Sequence, residues 1–169
     1  KILEGKPVQA DQIAEATGGA GITALHSLDH KGPYPYYVPR AHGAAGDGTT
    51  DDRAILNTLA NTTIPAGGGT IRIDRAYRIA SNMTFPSKAA LSFARGGSLS
   101  IDTGVTVTIN GPLSAGLHQI FSGAGSVRFG TATASVTGVP DIYPQWWGAV
   151  GDNSTACTAA FTAAGVAAD

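Results

Sequence analysis

Between Thr70 and Phe129 the chain alternates apolar and polar residues in short bursts. Thr70-Ile71-Arg72-Ile73-Asp74 keeps a period of two, and so do Tyr77-Arg78-Ile79, Met83-Thr84-Phe85, Leu91-Ser92-Phe93, Leu99-Ser100-Ile101 and Val105–Ile109. Gln119-Ile120-Phe121 and Val127-Arg128-Phe129 follow. Each burst predicts a strand that turns one apolar face inward. Gly, Pro, Asn or Ser punctuates the gaps, as tight turns require. Strands this short cannot bury a face alone, but stacked in a coil they can. The pattern therefore predicts a mainly β protein, with strands stacked as in a right-handed parallel β-helix or small stacked β-domain. A β-sandwich is the competing reading, because the strand spacing fits it as well.

Helical periodicity occurs in three places. Ala10–Ala16 is a short helix with a thin apolar face, ended by Gly18-Gly19. A second helix spans about residues 51–61, with Ile55, Leu56 and Leu59 at helical spacing, and a third runs from Thr155 to about Ala168. The connector His30–Pro39 holds Pro33, Pro35 and Pro39 beside Tyr34, Tyr36 and Tyr37, a composition that is extended or turned.

The second helix is entered through His42–Asp52, and this stretch is written twice. Gly43, Ala44, Gly46, Asp47 and Thr50 recur as Gly148, Ala149, Gly151, Asp152 and Thr155, at a constant offset of 105 residues (148 − 43). Gly46 and Gly48 flank Asp47, which suits a backbone visiting positive φ. Thr50 or Asp51 is expected to cap the helix, and Asp51 and Asp52 place negative charge in its first turn. In the second copy Ala156 and Cys157 stand in place of the two acids, and Asn153 in place of Gly48. Capping there falls to Ser154 or Thr155. Because the glycines and threonine persist while the acid pair does not, we read Gly46, Asp47, Gly48, Thr50, Asp51 and Asp52, with Gly148, Gly151, Asp152 and Thr155, as a turn-and-cap device that opens a β-stack. The short helix behind it is expected to cover the exposed end of that stack.

The net charge is −1 and only 14% of residues are charged, well below globular usage, which gives no footprint for nucleic acid and suits a surface covered by other subunits. The single cysteine, Cys157, excludes an internal disulfide, and no apolar run is long enough to span a membrane.

Candidate chemistry is sparse. A glycoside hydrolase needs a carboxylate pair and a lyase needs a base. After Asp52 the acids are Asp74, Asp102, Asp141, Asp152 and Asp169, widely spaced. Asp74 and Asp102 are the pair that a coil brings to one face, if any. Arg72 and Asp74 share a strand face, so a solvated salt bridge is expected between them. The oxygens of Asp47, Asp51 and Asp52 cluster as at a calcium site, yet lack the rest of a ligand loop. No cofactor, metal or catalytic residue is therefore assigned. Tyr34, Tyr36, Tyr37, Trp146 and Trp147 are candidates for a subunit interface or a sugar contact. Adjacent residues of an extended segment face opposite ways, so one tryptophan is expected to be buried and its neighbour to face a subunit or solvent.

The first motif, with Gly67-Gly68-Gly69-Thr70-Ile71 and Tyr77-Arg78-Ile79, resembles the N-terminal signature of the pectate-lyase-like β-helix superfamily. Ile120–Val127 and Ile142–Asp152 are similar to the region just before the main β-helix of bacteriophage tailspikes and capsule depolymerases, and Gly5–Ala16 is also phage-tail-like. The resemblance implies a homotrimer within a virion tail. Residues 1–37 would lead toward a phage tail or baseplate protein, 38–140 would form a small β-stack domain, and 141–169 would start the main β-helix. It implies that bacterial surface polysaccharide is bound and degraded beyond this stretch, the chain being a piece of a longer one. Two other classes stay open: the chain is itself a polysaccharide-cleaving β-helix, or it is a carbohydrate-binding module using Tyr34, Tyr36, Tyr37 and Trp146.

Overall fold

A computed structural model describes residues 36–130, 139, 141–152 and 154–168. The chain divides at Pro33/Tyr34, and the described residues belong to the second unit. The Ala10–Ala16 helix and Tyr34 lie outside the described residues.

Eleven strands are described: β1 Tyr36–Tyr37, β2 Asp47–Asp51, β3 Gly69–Ile73, β4 Ala76–Ile79, β5 Met83–Phe85, β6 Ala89–Phe93, β7 Ser98–Ile101, β8 Thr106–Ile109, β9 Leu113–Ser114, β10 Phe121–Gly123 and β11 Ser126–Phe129. There are two α-helices, α1 Arg53–Thr58 and α2 Thr158–Ala168; α1 continues as a π-helical turn, Leu59–Thr63. Two 3-10 turns, Pro39–His42 and Pro144–Trp147, stand ahead of β2 and of α2.

The strands form three sheets, ordered β1-β3-β6-β9, β10-β7-β4-β2 and β11-β8-β5. Every strand pairing is parallel. Between β3 and β11 the chain visits the first, second and third sheet in that order three times. Parallel neighbours need a crossover, and here each crossover is made of the other two sheets. The pairing excludes the sandwich reading, whose sheets are antiparallel.

Register stacks like residues on successive passes. Ile71 lies over Leu91 and Leu91 over Leu113; Tyr77, Leu99 and Phe121 stack, as do Met83, Val107 and Val127, and Phe85, Ile109 and Phe129. Apart from Leu113, which is half-buried, these residues are buried, and the polar residues between them face out. Fully burying a side chain of this size stabilises by about 1.5–3 kcal/mol, so the columns hold the stack together. Backbones of successive passes approach closely at the corners. A Cβ on Gly97 would collide with the carbonyl oxygen of Ile73, so only glycine fits there.

The first two sheets have four strands and the third has three. α1 packs against β4 and against β5, the edge strand of the third sheet. Leu56, Leu59, Ala60 and Ile64 are buried in the common core. Arg53 Nη2 donates to Asn82 O at 3.0 Å and Asn61 Nδ2 to Thr84 O at 3.4 Å, so helix side chains take up carbonyls at the free edge. Lys88 Nζ closes the far end of the π turn by donating to Asn61 O (3.1 Å) and Ile64 O (2.6 Å), as suits a cation at a helix C-terminus. The helix starts two residues later than the sequence predicts, because Asp47–Asp51 pairs with β4 as a strand and Asp52 N donates to Arg78 O at 2.9 Å. No helix among the described residues is long and apolar enough to cross a membrane.

Candidate functional site

Among the described residues, side-chain hydrogen bonds cluster at the repeated turn, and its first copy spans Val38–Arg53. Extended Val38 leads into a 3-10 turn with Pro39 at its first position, where a missing N–H costs nothing. Gly43 ends the turn at φ 96°, donating its N–H to Arg40 O, while Ala44 N donates to Pro39 O. Asp47 then folds the next residues around its own carboxylate. Oδ1 accepts from Thr49 N (2.8 Å) and Thr50 N (2.7 Å), and Oδ2 accepts from Thr50 Oγ1 (2.8 Å). The N–H groups of Thr50 and Thr49, followed by the Thr50 hydroxyl, hold the Asp47 carboxyl well below the usual carboxylate range.

Asp52 does not use its side chain as a helix cap. It is 2% exposed, and its carboxylate accepts from Ala45 N (2.6 Å) and Gly46 N (3.0 Å), clamping the turn that precedes it. Asp51 Oδ1 accepts from Arg53 N and from Ala80 N, both at 3.1 Å, and so ties the helix start to the end of β4. Thr50, a candidate cap, donates to Asp47 instead. Gly46 sits at φ 62°, with the Tyr77 ring 3.2 Å from where a Cβ would be. Gly48 also has positive φ, 73°.

The second copy repeats the turn and the bonds to the first aspartate at the same offset, but not the bonds made by Asp51. Extended Tyr143 leads into the turn Pro144–Trp147, Gly148 ends it at φ 87°, and Ala149 N donates to Pro144 O. Asp152 Oδ1 accepts from Ser154 N (3.0 Å) and Thr155 N (2.8 Å), and Oδ2 from Thr155 Oγ1 (2.6 Å). The Thr155 hydroxyl, then the Thr155 and Ser154 N–H groups, depress the Asp152 carboxyl as well. Gly151 lies in the loop between Val150 and this turn, open to solvent. α2 begins at Thr158, 105 residues after Arg53.

Cys157 occupies the position of Asp52 and does part of the same work. Its Sγ accepts from Val150 N at 3.3 Å, the counterpart of Ala45 N, and donates toward Val150 O and Thr155 O, each at 3.3 Å. The sequence presents Cys157 as a departure from the motif, whereas the fold keeps the clamp and weakens it. Pro39 and Pro144 extend the repeat backward. Their shared offset was available in the sequence but outside the aligned glycines.

The other candidates are dispersed. Trp146 and Trp147 lie in a 3-10 turn rather than an extended segment, so they do not face opposite ways; both join one aromatic cluster, with their rings 6.5 Å apart. Trp146 is 3% exposed and donates Nε1–H to Gly116 O at 3.1 Å, so it offers no face to a sugar. Trp147 is half-buried against Phe121, ring centroids 5.1 Å apart. Tyr36 is exposed, and Tyr37 is half-buried beside the His42 ring.

Asp74 and Asp102 are not brought together. Asp74 sits between β3 and β4 and accepts from Tyr77 Oη at 2.6 Å; burial of the phenol and this bond to Asp74 push the Tyr77 pKa upward. Asp102 sits between β7 and β8 and takes a bidentate pair from Arg78, at 2.9 and 2.6 Å, while Arg78 Nη1 donates to Thr49 O at 2.8 Å. That pairing lowers the Asp102 pKa and raises that of Arg78. The salt bridge expected between Arg72 and Asp74 is thus replaced by Arg78–Asp102, and Arg72 makes no ion pair among the described residues. No group of three His, Cys, Asp or Glu side chains able to hold a metal occurs among the described residues.

An open groove of about 500 Å³ runs between α1 and the outer face of β5 and β8, lined by Arg53, Asn57, Asn82, Thr84, Thr106 and Thr108. Neither a protein-family model, nor a curated protein, nor a solved structure matches this chain.

Proposed function

We propose that this chain is a structural adaptor of a homotrimeric phage tailspike, built as a short parallel β-helix between two start modules. The single observation that carries this reading is the repeat. The same turn, the same three bonds to one aspartate carboxylate and a helix start occur once before the stacked strands and again after β11, which supports reading the second copy as the start of a second stack. The resemblance of both anchors to tailspike sequences supplies the wider setting: attachment to the particle on the N-terminal side, and on the C-terminal side a β-helix that binds and degrades bacterial surface polysaccharide. The work of this chain is then to trimerise and orient, and no catalytic residue is assigned to it. Light scattering at micromolar concentration tests the reading. A mass three times the 17.0 kDa of one chain is expected, and a mass of 17.0 kDa contradicts it.

A second reading, saccharide binding by the chain itself, draws support from the groove at Arg53. Its amide, hydroxyl and guanidinium groups suit a polyhydroxylated ligand. Titration calorimetry against host glycan, with Asn57→Ala and Thr84→Ala as controls, decides between the two.

A further inference from the structure

We infer that the groove between α1 and the outer face of β5 and β8 binds an acidic saccharide, with a sugar carboxylate on Arg53 and ring hydroxyls on the amides and threonines beside it. This deepens the saccharide-binding reading of the groove, on which it rests, and does not depend on the adaptor reading. The helical wall carries Arg53, Asn57 and Asn61, each four residues after the last, so one stripe of α1 and its π turn meets the groove. The sheet wall carries Thr84, Thr106 and Thr108. Thr84 lies beside Thr108 in register, and Thr106 shares that face because side chains alternate along a strand.

Arg53 is fixed without being neutralised. It is half-buried, and its Nε and Nη2 both donate to Asn82 O, at 3.3 and 3.0 Å. That acceptor is a neutral carbonyl, and no carboxylate lines the groove. Arg78, by contrast, meets the Asp102 carboxylate at 2.6 Å. The Nη1 group of Arg53 and the second N–H of Nη2 take no partner among the described residues, which leaves an edge of the planar fork for the two oxygens of a carboxylate. The neutral groups suit hydroxyls. Asn61 Nδ2 donates to Asn57 Oδ1 at 3.1 Å, which orients both amides and leaves Asn57 Nδ2 as a donor and Asn61 Oδ1 as an acceptor. The Thr84 and Thr108 hydroxyls make no hydrogen bond among the described residues. A sugar hydroxyl both donates and accepts, so it can use either kind of group. No aromatic ring lines the groove, so recognition runs through hydrogen bonds rather than stacking. A single cation matches an isolated charge on a sugar, whereas a phosphodiester chain calls for a row of cations.

Titration calorimetry on the full chain tests this with tetrasaccharides bearing glucuronate, galacturonate or N-acetylneuraminate, each beside its carboxyl-reduced neutral form. At least one acidic member is expected to bind, and reduction of its carboxyl group to weaken binding about tenfold or more, the size of a lost charge-assisted hydrogen bond. Arg53→Gln is expected to weaken the acidic member by the same factor and to leave the neutral form unchanged, with Arg53→Lys between, since it keeps the charge without the fork. Thr108→Val is expected to weaken both forms alike, and it decides the matter if Arg53→Gln lowers the unfolding midpoint: unchanged binding in Thr108→Val then overturns the inference. Equal binding of acidic and neutral forms overturns it and leaves the saccharide-binding reading standing, whereas binding of no member overturns both. An acidic preference that survives Arg53→Gln in a chain of unchanged midpoint also overturns it.

Discussion

Replacing Asp52 by alanine removes a buried carboxylate that serves the backbone of its own turn. Two donors lose their partner: Ala45 N, now 2.6 Å from the carboxylate, and Gly46 N, at 3.0 Å in a buried setting. An orphaned buried donor costs about 1–3 kcal/mol. Two of them, one only part-buried, give a loss of about 3 kcal/mol for Asp52→Ala. Domains of this kind have about 5–15 kcal/mol in total, so that loss is a large share. With a urea dependence of about 2 kcal/mol per molar, the midpoint falls by about 1.5 M. Asp52→Cys reproduces the second copy, in which a thiol accepts from one amide, and is expected to recover about 1 kcal/mol of the loss. Urea unfolding followed by circular dichroism measures both. An Asp52→Ala midpoint within about 0.3 M of the parent, equivalent to roughly 0.6 kcal/mol at that slope, would refute the clamp.

Three further outcomes follow from the same geometry. Hydrogen bonds hold the folded pKa values of Asp47, Asp102 and Asp152 below the ordinary aspartate value of about 3.9, so the unfolded chain binds protons first; the contribution is present above that value and is lost as pH falls below it. The urea midpoint is therefore expected to be flat above about pH 5 and to drop below about pH 4, with a shallower drop in Asp47→Asn. Gly97→Ala forces a Cβ into the Ile73 carbonyl and is expected to cost more than about 2 kcal/mol, whereas at Gly67 a Cβ meets nothing within 4 Å, so Gly67→Ala is expected to be neutral or stabilising by up to about 1 kcal/mol. Thermal melts compare the pair. Phe121→Ala empties the column beneath Leu99 and beside Phe93, Phe129 and Trp147, and is expected to cost about 3–5 kcal/mol by the same unfolding measurement.

The strands that build the three parallel sheets were legible because each turns alternate residues inward: Ile71 and Ile73, Tyr77 and Ile79, Met83 and Phe85 announce their faces without any partner in view. The choice of parallel sheets over an antiparallel sandwich was not legible, because the spacing of short strands is common to both and only the pairing separates them. β2 was hidden for a different reason. Asp47-Gly48-Thr49-Thr50-Asp51 has no apolar residue, since the strand is held by β4 and by the bonds of its own carboxylates rather than by a buried face. The repeat was visible in the glycines. The work of Asp52 was not, because its carboxylate reaches back six and seven residues, and helix propensity near a cap says nothing about such a contact. One tryptophan is buried as expected, Trp146, and its neighbour Trp147 is half-buried, but the cause is the turn opened by Pro144 and not the alternation of a strand.

That the repeated motif is a structural clamp used twice, and not an acidic site, is tested most directly by amide hydrogen exchange at Ala45, Gly46 and Val150 in the intact chain. The account predicts that Ala45 and Gly46 exchange as slowly as amides of β4, that Val150 is intermediate, and that Asp52→Ala releases the first two while leaving Val150 unchanged. Exchange of Ala45 and Gly46 at the rate of a free loop would contradict it.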